Sequence, residues 1–232
     1  MTYDLLIGDY AYSSWSLRGW LVFDAFAIPA RVTVAQLYCD DFAAKLAGFP
    51  PARTVPVMRT PEGTVVPETL AIAEELASRH PQADIWPAAP AARAVARALA
   101  AEMHAGFGAL REHCPMNLRQ AFADCAPPAA VLADLDRLQT IWGWARAQTG
   151  ATGPWLCGAY SAADAFFAPV AARIAGYSLL VDAAAQDYVA AHLAHPSFRR
   201  WFALAQTHGP DQPFYDRDWP RKPWPEPALS TR

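Results

Sequence analysis

The spacing of apolar positions along the chain changes near residue 80. Before it, short β-like runs alternate with helical ones. Tyr3 to Ile7 is an apolar run closed by Gly8, the pattern of a buried strand. Leu17 to Phe26 has apolar residues at helical spacing and stops near Ile28-Pro29. Arg31 to Leu37 alternates, with Val32 and Val34 in phase, and predicts a second strand. Asp40 to Leu46 predicts a short helix broken by Gly48 and the Pro50-Pro51 pair. Val55 to Arg59 and Thr64 to Val66 flank Pro61-Glu62-Gly63, turn chemistry between two strands. Pro67-Glu68 then opens a helix with Leu70, Ala73 and Leu76 on one face, ending before His80-Pro81. The order is strand–helix–strand–helix–strand–strand–helix.

Pro81, Pro87 and Pro90 mark a connection, and the chain beyond is alanine-rich and helical in pattern. Val95, Leu99, Met103, Phe107 and Leu110 predict one long amphipathic helix, and Val131, Leu135, Leu138, Trp142 and Ala145 a second. Ser161 to Ala175, Ala183 to Leu193 and Ser197 to Gln206 predict three shorter ones. From Gly209 the tail is crowded with proline and tryptophan, which excludes helix, while aromatic residues between Phe214 and Trp224 are placed to dock on the body. The expected organisation is an α/β domain over residues 1–80, a linker over 81–90, an all-helical domain over 91–208 and a tail over 209–232.

Composition supports a packed core. Of 232 residues 53% are hydrophobic and only 18% charged, which excludes a charge-solvated, disordered chain. The 19 basic and 22 acidic residues give a net charge of −3 with no basic block, arguing against nucleic acid as a partner. Charge or proline interrupts every apolar stretch, so no membrane-spanning helix is expected. Met1-Thr2-Tyr3-Asp4 has no basic region ahead of an apolar one, and a cytoplasmic protein is expected rather than a secreted one. Cys39, Cys114, Cys125 and Cys157 are too scattered for a CxxC pair or a zinc knuckle, and free thiols are expected. The six histidines form no HExxH, so no metal is expected.

Three short segments bear on chemistry. Tyr12-Ser13-Ser14-Trp15-Ser16-Leu17-Arg18 lies between the first strand and the first helix. A helix start offers free N–H groups and partial positive charge, which stabilise an anion such as a thiolate, and a nearby hydroxyl adds to this. A serine there also serves as an ordinary helix cap. In Thr54-Val55-Pro56-Val57 a proline falls inside a strand, so the strand is at an edge or the bond is cis. Glu68-Thr69 places a carboxylate and a hydroxyl at a helix start, as caps or as ligands.

In this order and spacing the segments resemble the cytosolic glutathione S-transferases, over about residues 3–208. Ser13-Ser14-Trp15-Ser16-Leu17-Arg18 is similar to the SSCSxR segment of the serine-type, zeta-like branch, with Trp15 in place of the cysteine. Thr54-Val55-Pro56 resembles the family's Val-cis-Pro, and Glu68-Thr69-Leu70-Ala71-Ile72 its (E/Q)SLAI segment. Ser161-Ala162-Ala163-Asp164 resembles its SxAD box, an N-cap serine with an acid three residues on.

The resemblance implies a thioredoxin-like N-terminal domain followed by an all-helical C-terminal domain. It implies glutathione as cosubstrate, with its cysteine moiety pairing with the backbone at Val55-Pro56 and its γ-glutamyl group held by Glu68 and Thr69. Ser13, with Ser14 as runner-up, would donate a hydrogen bond to the glutathione thiolate. Ser16 would lie inside the helix, and Tyr10 and Tyr12 are weaker candidates. The thiolate would attack a small hydrophobic electrophile, in a homodimer with a detoxifying role. The alternatives are a glutathione-dependent isomerase of the maleylacetoacetate type and a non-catalytic glutathione-binding module. In that isomerase branch a substrate-binding arginine stands twelve residues after the box aspartate; this chain has Gly176 there, and Arg173 nearly a turn earlier. With Trp15 at the cysteine position, thiol-dependent redox chemistry is not expected. Arg18 is expected to bond across the fold. Lys45 and Arg53 are candidates for the glycyl carboxylate, and Met103, His104, Phe107 and Arg111 for the electrophile site.

Overall fold

The computed structural model describes residues 2–225, so the expectations for Met1 and for the tail over residues 226–232 lie outside the described residues. Four strands form the principal sheet, in the order β2-β1-β3-β4. They are β1 (Tyr3–Ile7), β2 (Ala30–Val34), β3 (Val57–Arg59) and β4 (Val65–Pro67). β1 runs parallel to β2 and antiparallel to β3, and β3 is antiparallel to β4. As an inner strand covered on both faces, β1 is an unbroken apolar run with Leu5, Leu6 and Ile7 buried. Pro67 ends the edge strand β4, where a missing N–H costs no ladder bond. On one face α1 (Ser14–Asp24) and α3 (Thr69–Arg79) pack together. On the other, α2 (Asp41–Ala47) sets Phe42 and Leu46 on a small cluster of Leu6, Ala35, Val55 and Val57.

The helical region comprises α4 (Pro90–Ala105), α5 (Gly108–His113), α6 (Ala129–Thr149), α7 (Ala162–Gly176), α8 (Ala183–Ala194) and α9 (Pro196–Thr207). The single long helix expected through Leu110 is two helices, broken at Gly106-Phe107. Phe107 has φ +58°, and a Cβ on Gly106 would stand 2.9 Å from the Glu102 carbonyl, so the chain leaves the helix where only glycine fits. A carboxylate oxygen of Asp134 then takes the Leu110 N–H at 2.9 Å and anchors the new turn. Among the described residues no helix is long and apolar enough to cross a membrane.

α7 is buried along nearly its whole length and packs against α1, α4 and α8. It runs continuously through Pro169. Asp164 fixes its start. One carboxylate oxygen accepts the Ser161 N–H (2.9 Å) and Ser161 O–H (3.1 Å). The other accepts the Tyr188 O–H (2.8 Å) and Leu156 N–H (3.3 Å). These bonds offset the cost of burial, which pushes the carboxyl pKa upward.

The tail departs from the expectation that it holds no helix. Pro213–Tyr215 forms a 3-10 turn, and β6 (Arg221–Lys222) pairs antiparallel with β5 (Ala121–Phe122). A single tight turn needs few N–H donors, which proline tolerates at its start. Tyr215 stacks on Tyr12 with centroids 4.6 Å apart, and Trp219 and Trp224 meet Tyr177 and Phe202 edge-on.

His192, in α8, is fully buried, and burial holds its pKa down at about 3. Between pH 6.5 and 3 the unfolded chain therefore binds a proton there that the folded chain refuses, and stability falls as pH falls. The slope from this one group is at most about 1.4 kcal/mol per pH unit. Urea unfolding at successive pH values is expected to give a shallower acid slope for His192→Leu than for wild type.

Candidate active site

Two adjoining cavities lie along the sheet edge at the start of α1. The smaller, about 240 Å³, is lined by Trp15, Thr54, Val55, Pro56, Glu68 and Thr69. The larger, about 440 Å³, shares Trp15, Thr54 and Val55 and is reached by both Ser13 and Ser14. All six residues singled out in the sequence thus lie on one continuous recess.

Two unusual backbone positions line the smaller cavity. The Val55–Pro56 bond is cis. Strand β3 begins only at Val57, two residues later than the alternating pattern suggests, because Pro56 has no N–H for a ladder. Glu68 precedes α3 with φ +69°, a conformation costly for a side chain other than glycine. Behind it, Thr69 Oγ1 is buried with no hydrogen-bond partner among the described residues. Glu68 Oε2 lies 3.4 Å from His104 Nε2. Burial lowers the His104 pKa despite that carboxylate, so at neutral pH the imidazole is uncharged and gives Glu68 no cationic partner. Gly19 in α1 passes so close to Pro56 that an added Cβ would lie 2.7 Å from its Cγ.

At the other end, α1 starts at Ser14 with Ser13 as its N-cap, three residues before the apolar spacing begins. Ser13 Oγ donates to Ser16 Oγ at 2.7 Å and accepts the Ser16 N–H at 3.3 Å. Ser16 Oγ in turn accepts the Gly8 N–H at 2.8 Å, tying the helix to the end of β1. Ser14 Oγ accepts a hydrogen bond from Arg173 Nη2 at 3.3 Å. Tyr12 lines the larger cavity, but its hydroxyl is engaged, donating to Asp211 and accepting from the Gln212 N–H. Tyr10 is buried against Trp201 and lines neither cavity.

Trp15 stands where the two cavities meet, between cations. The Arg18 guanidinium lies 4.4 Å from one of its ring centroids and that of Arg111 lies 4.8 Å away, both in cation–π range. Arg18 does not bond across the fold as expected: it is fully buried, and among the described residues none of its nitrogens has a hydrogen-bond partner. Burial, with Arg173 and Arg111 nearby, holds its pKa well below the usual arginine value. The ring faces of Trp15 and Phe166 take the place of acceptors.

Of the remaining candidates, Arg53 and Arg111 reach the larger cavity. Lys45 is held by Asp41 (2.5 Å) and the Val34 carbonyl (3.0 Å). His104 packs edge-on against Trp15, while Met103 and Phe107 belong to the core. Arg173, set aside in the sequence because Gly176 holds the corresponding position, does line the cavity. Sequence reasoning also missed Phe214 and Tyr215 as part of its wall. Their only signal was the concentration of aromatic residues in an otherwise proline-rich tail.

A mixed four-stranded sheet with α1 and α3 on one face, followed by a helical region centred on α7, is the architecture of the glutathione transferases. Residues 12–79 match the family model of the glutathione S-transferase N-terminal domain. No curated protein matches the chain. Among solved structures, a glutathione transferase homolog from Burkholderia gl BGR1 with bound glutathione matches at a TM-score of 0.68 and 20% identity, over 90% of this chain and 100% of that one. Glutathione transferase Omega 2S from Trametes versicolor, in complex with 2,4-dihydroxybenzophenone, matches at 0.68 and 21%, over 87% and 94%. A Tau class enzyme from mango, Mangifera indica, matches at 0.65 and 17%, over 88% and 96%. The likeness is one of fold: a thioredoxin-like N-terminal domain followed by a helical C-terminal region.

Proposed function

We propose that the protein is a serine-type glutathione transferase that activates the glutathione thiol for attack on a small hydrophobic electrophile. One observation carries the reading: a single recess has the Glu68 carboxylate and the unpartnered Thr69 hydroxyl at one end and the N-terminus of α1 at the other, with Val55 between. Glu68 would take the γ-glutamyl ammonium, Thr69 its carboxylate, and the Val55-Pro56 backbone the cysteine moiety. The sulfur would then fall at the start of α1, where the helix N-terminus and the serine hydroxyls favour the thiolate. The thiol proton leaves to solvent, the sulfur forms its bond to carbon, and the displaced group departs with its electron pair.

Residues 1–80 are on this reading the glutathione-binding domain, in a cytoplasmic homodimer with a role in detoxification. Calorimetric titration with glutathione tests it first, followed by the ultraviolet band of the bound thiolate against pH. The expected result is saturable binding and a bound thiol more acidic than free glutathione. Absence of binding refutes the reading. A second reading, a glutathione-dependent isomerase of an acidic substrate, is favoured by Arg111 and Arg173 in the larger cavity. It is distinguished by turnover without net consumption of glutathione.

A further inference from the structure

The two serines at the start of α1 are not equivalent, and the difference lies in what holds each oxygen. Ser13 Oγ is tied to Ser16 Oγ at 2.7 Å and to the Ser16 N–H at 3.3 Å, within the ring of bonds that closes on Gly8. That ring has no slack, since a Cβ added to Gly8 would stand 3.0 Å from Ser13 Oγ. Held in this way, Ser13 serves as the cap of the helix.

Ser14 is the reverse case. Its oxygen accepts from Arg173, and among the described residues its own proton has no acceptor, although the side chain lines the larger cavity. Arg173 comes from α7 in the helical region and is only 3% exposed. Its other nitrogens are fixed on the carbonyls of Cys114 (2.9 Å) and Pro169 (3.2 Å), so the guanidinium is held in one orientation. Among the described residues no carboxylate pairs with it. A guanidinium has donors only, so the Ser14 proton cannot point back at it and must point elsewhere. A cation on the oxygen also makes the hydroxyl a stronger donor.

We propose that Ser14, rather than Ser13, donates to the glutathione thiolate, and that Arg173 is a positioning residue acting through the Ser14 hydroxyl. This rests on the glutathione reading and refines it. Burial first, and the neighbouring Arg111 second, lower the Arg173 pKa to about 10, which leaves it charged at neutral pH. The other charges facing the sulfur would be Arg111 from α5 and Arg53 from the loop before β3, with Arg18 of α1 against Trp15. Among the described residues, no carboxylate lines the larger cavity.

The test is a double-mutant cycle read on the acidity of bound glutathione, from its thiolate absorbance against pH. Ser14→Ala is expected to raise the bound thiol pKa by about one unit, a tenfold loss of thiolate below it. Ser14→Thr should restore most of that loss, and Ser13→Ala should shift the pKa less than Ser14→Ala. Arg173→Met should raise it by a fraction, with partial recovery in Arg173→Lys. In Ser14→Ala/Arg173→Met the shift should be no larger than in Ser14→Ala alone, because the arginine has lost the group it acts through. A larger shift in Ser13→Ala than in Ser14→Ala, or full additivity of the Arg173 and Ser14 effects, overturns the proposal. Should Arg173→Met fail to fold, Arg173→Lys alone and combined with Ser14→Ala supplies the cycle. Glutathione that binds wild type without any gain in acidity refutes thiol activation itself, a signature distinct from misassigning the serine.

Discussion

Asp164→Ala is expected to lower the unfolding free energy by about 4 kcal/mol and Asp164→Asn by about 2 kcal/mol. Two carboxylate oxygens serve four donors, from Ser161 twice, Tyr188 and Leu156, at the buried start of α7. The hydroxyls of Ser161 and Tyr188 can turn and find other roles, but the two backbone N–H groups cannot. Asparagine keeps one acceptor and turns a second donor toward the other side, so at least one backbone N–H loses its partner. Alanine strands all four donors, and an unsatisfied buried donor costs about 1–3 kcal/mol. Urea denaturation gives the two losses directly. In a chain of this size each kcal/mol lowers the thermal midpoint by about 2–4 °C. The pH dependence adds a sign. Burial raises the Asp164 carboxyl above its ordinary 3.8, so this group's share of the stability falls as pH rises from below 3.8 through its folded value. In Asp164→Asn that part of the slope disappears.

Glu68→Gln is expected to weaken glutathione binding about tenfold, the lower end of what a hydrogen bond to a charged group supplies. The lower end applies because the Glu68 side chain is 58% exposed, and water screens part of its attraction for the γ-glutamyl ammonium. Calorimetry with glutathione and with an analogue lacking only the amino group separates this contact from general damage. Wild type should prefer glutathione by about the factor that the variant loses, and Glu68→Gln should bind the two alike. An equal preference in both proteins would show that Glu68 does not meet the ammonium. His104 sharpens the expectation. Its imidazole is uncharged at neutral pH, so it does not compete with the ligand's cation for the carboxylate.

Where the determinants were local, the sequence could be read closely. The apolar run of β1, the Glu68-Thr69 helix start and the Ser161-Asp164 cap each depend on neighbours within a few residues, and each forms where expected. The start of α1 was placed late because Ser13, Ser14 and Ser16 are polar and hide a helical turn from any apolar count. The break between α4 and α5 was invisible for the opposite reason. Phe107 and Leu110 are both buried and stay in helical phase although the backbone between them and Met103 is not helical. What could not be read at all was contact across the chain. The bond joining Ser14 to Arg173 spans 159 positions, and sequence spacing pointed to Gly176 instead. The tail residues Phe214 and Tyr215 reach the larger cavity because Tyr12, Leu37 and Asp211 hold the segment around them in place. No periodicity records such a placement.

The absent side chain at Gly19 sets a gauge. There α1 rests directly on Pro56, so the helix that carries Ser14 and the segment that presents Val55 are in direct contact. On the glutathione reading, the interval between the segment that would hold the peptide backbone and the helix start that would hold its sulfur is set at this contact. Part of the wall of the larger cavity comes from elsewhere, from Arg111 of α5, Arg173 of α7, and Phe214 and Tyr215 of the tail. They can be rebuilt for a different reaction partner while the gauge stays the same.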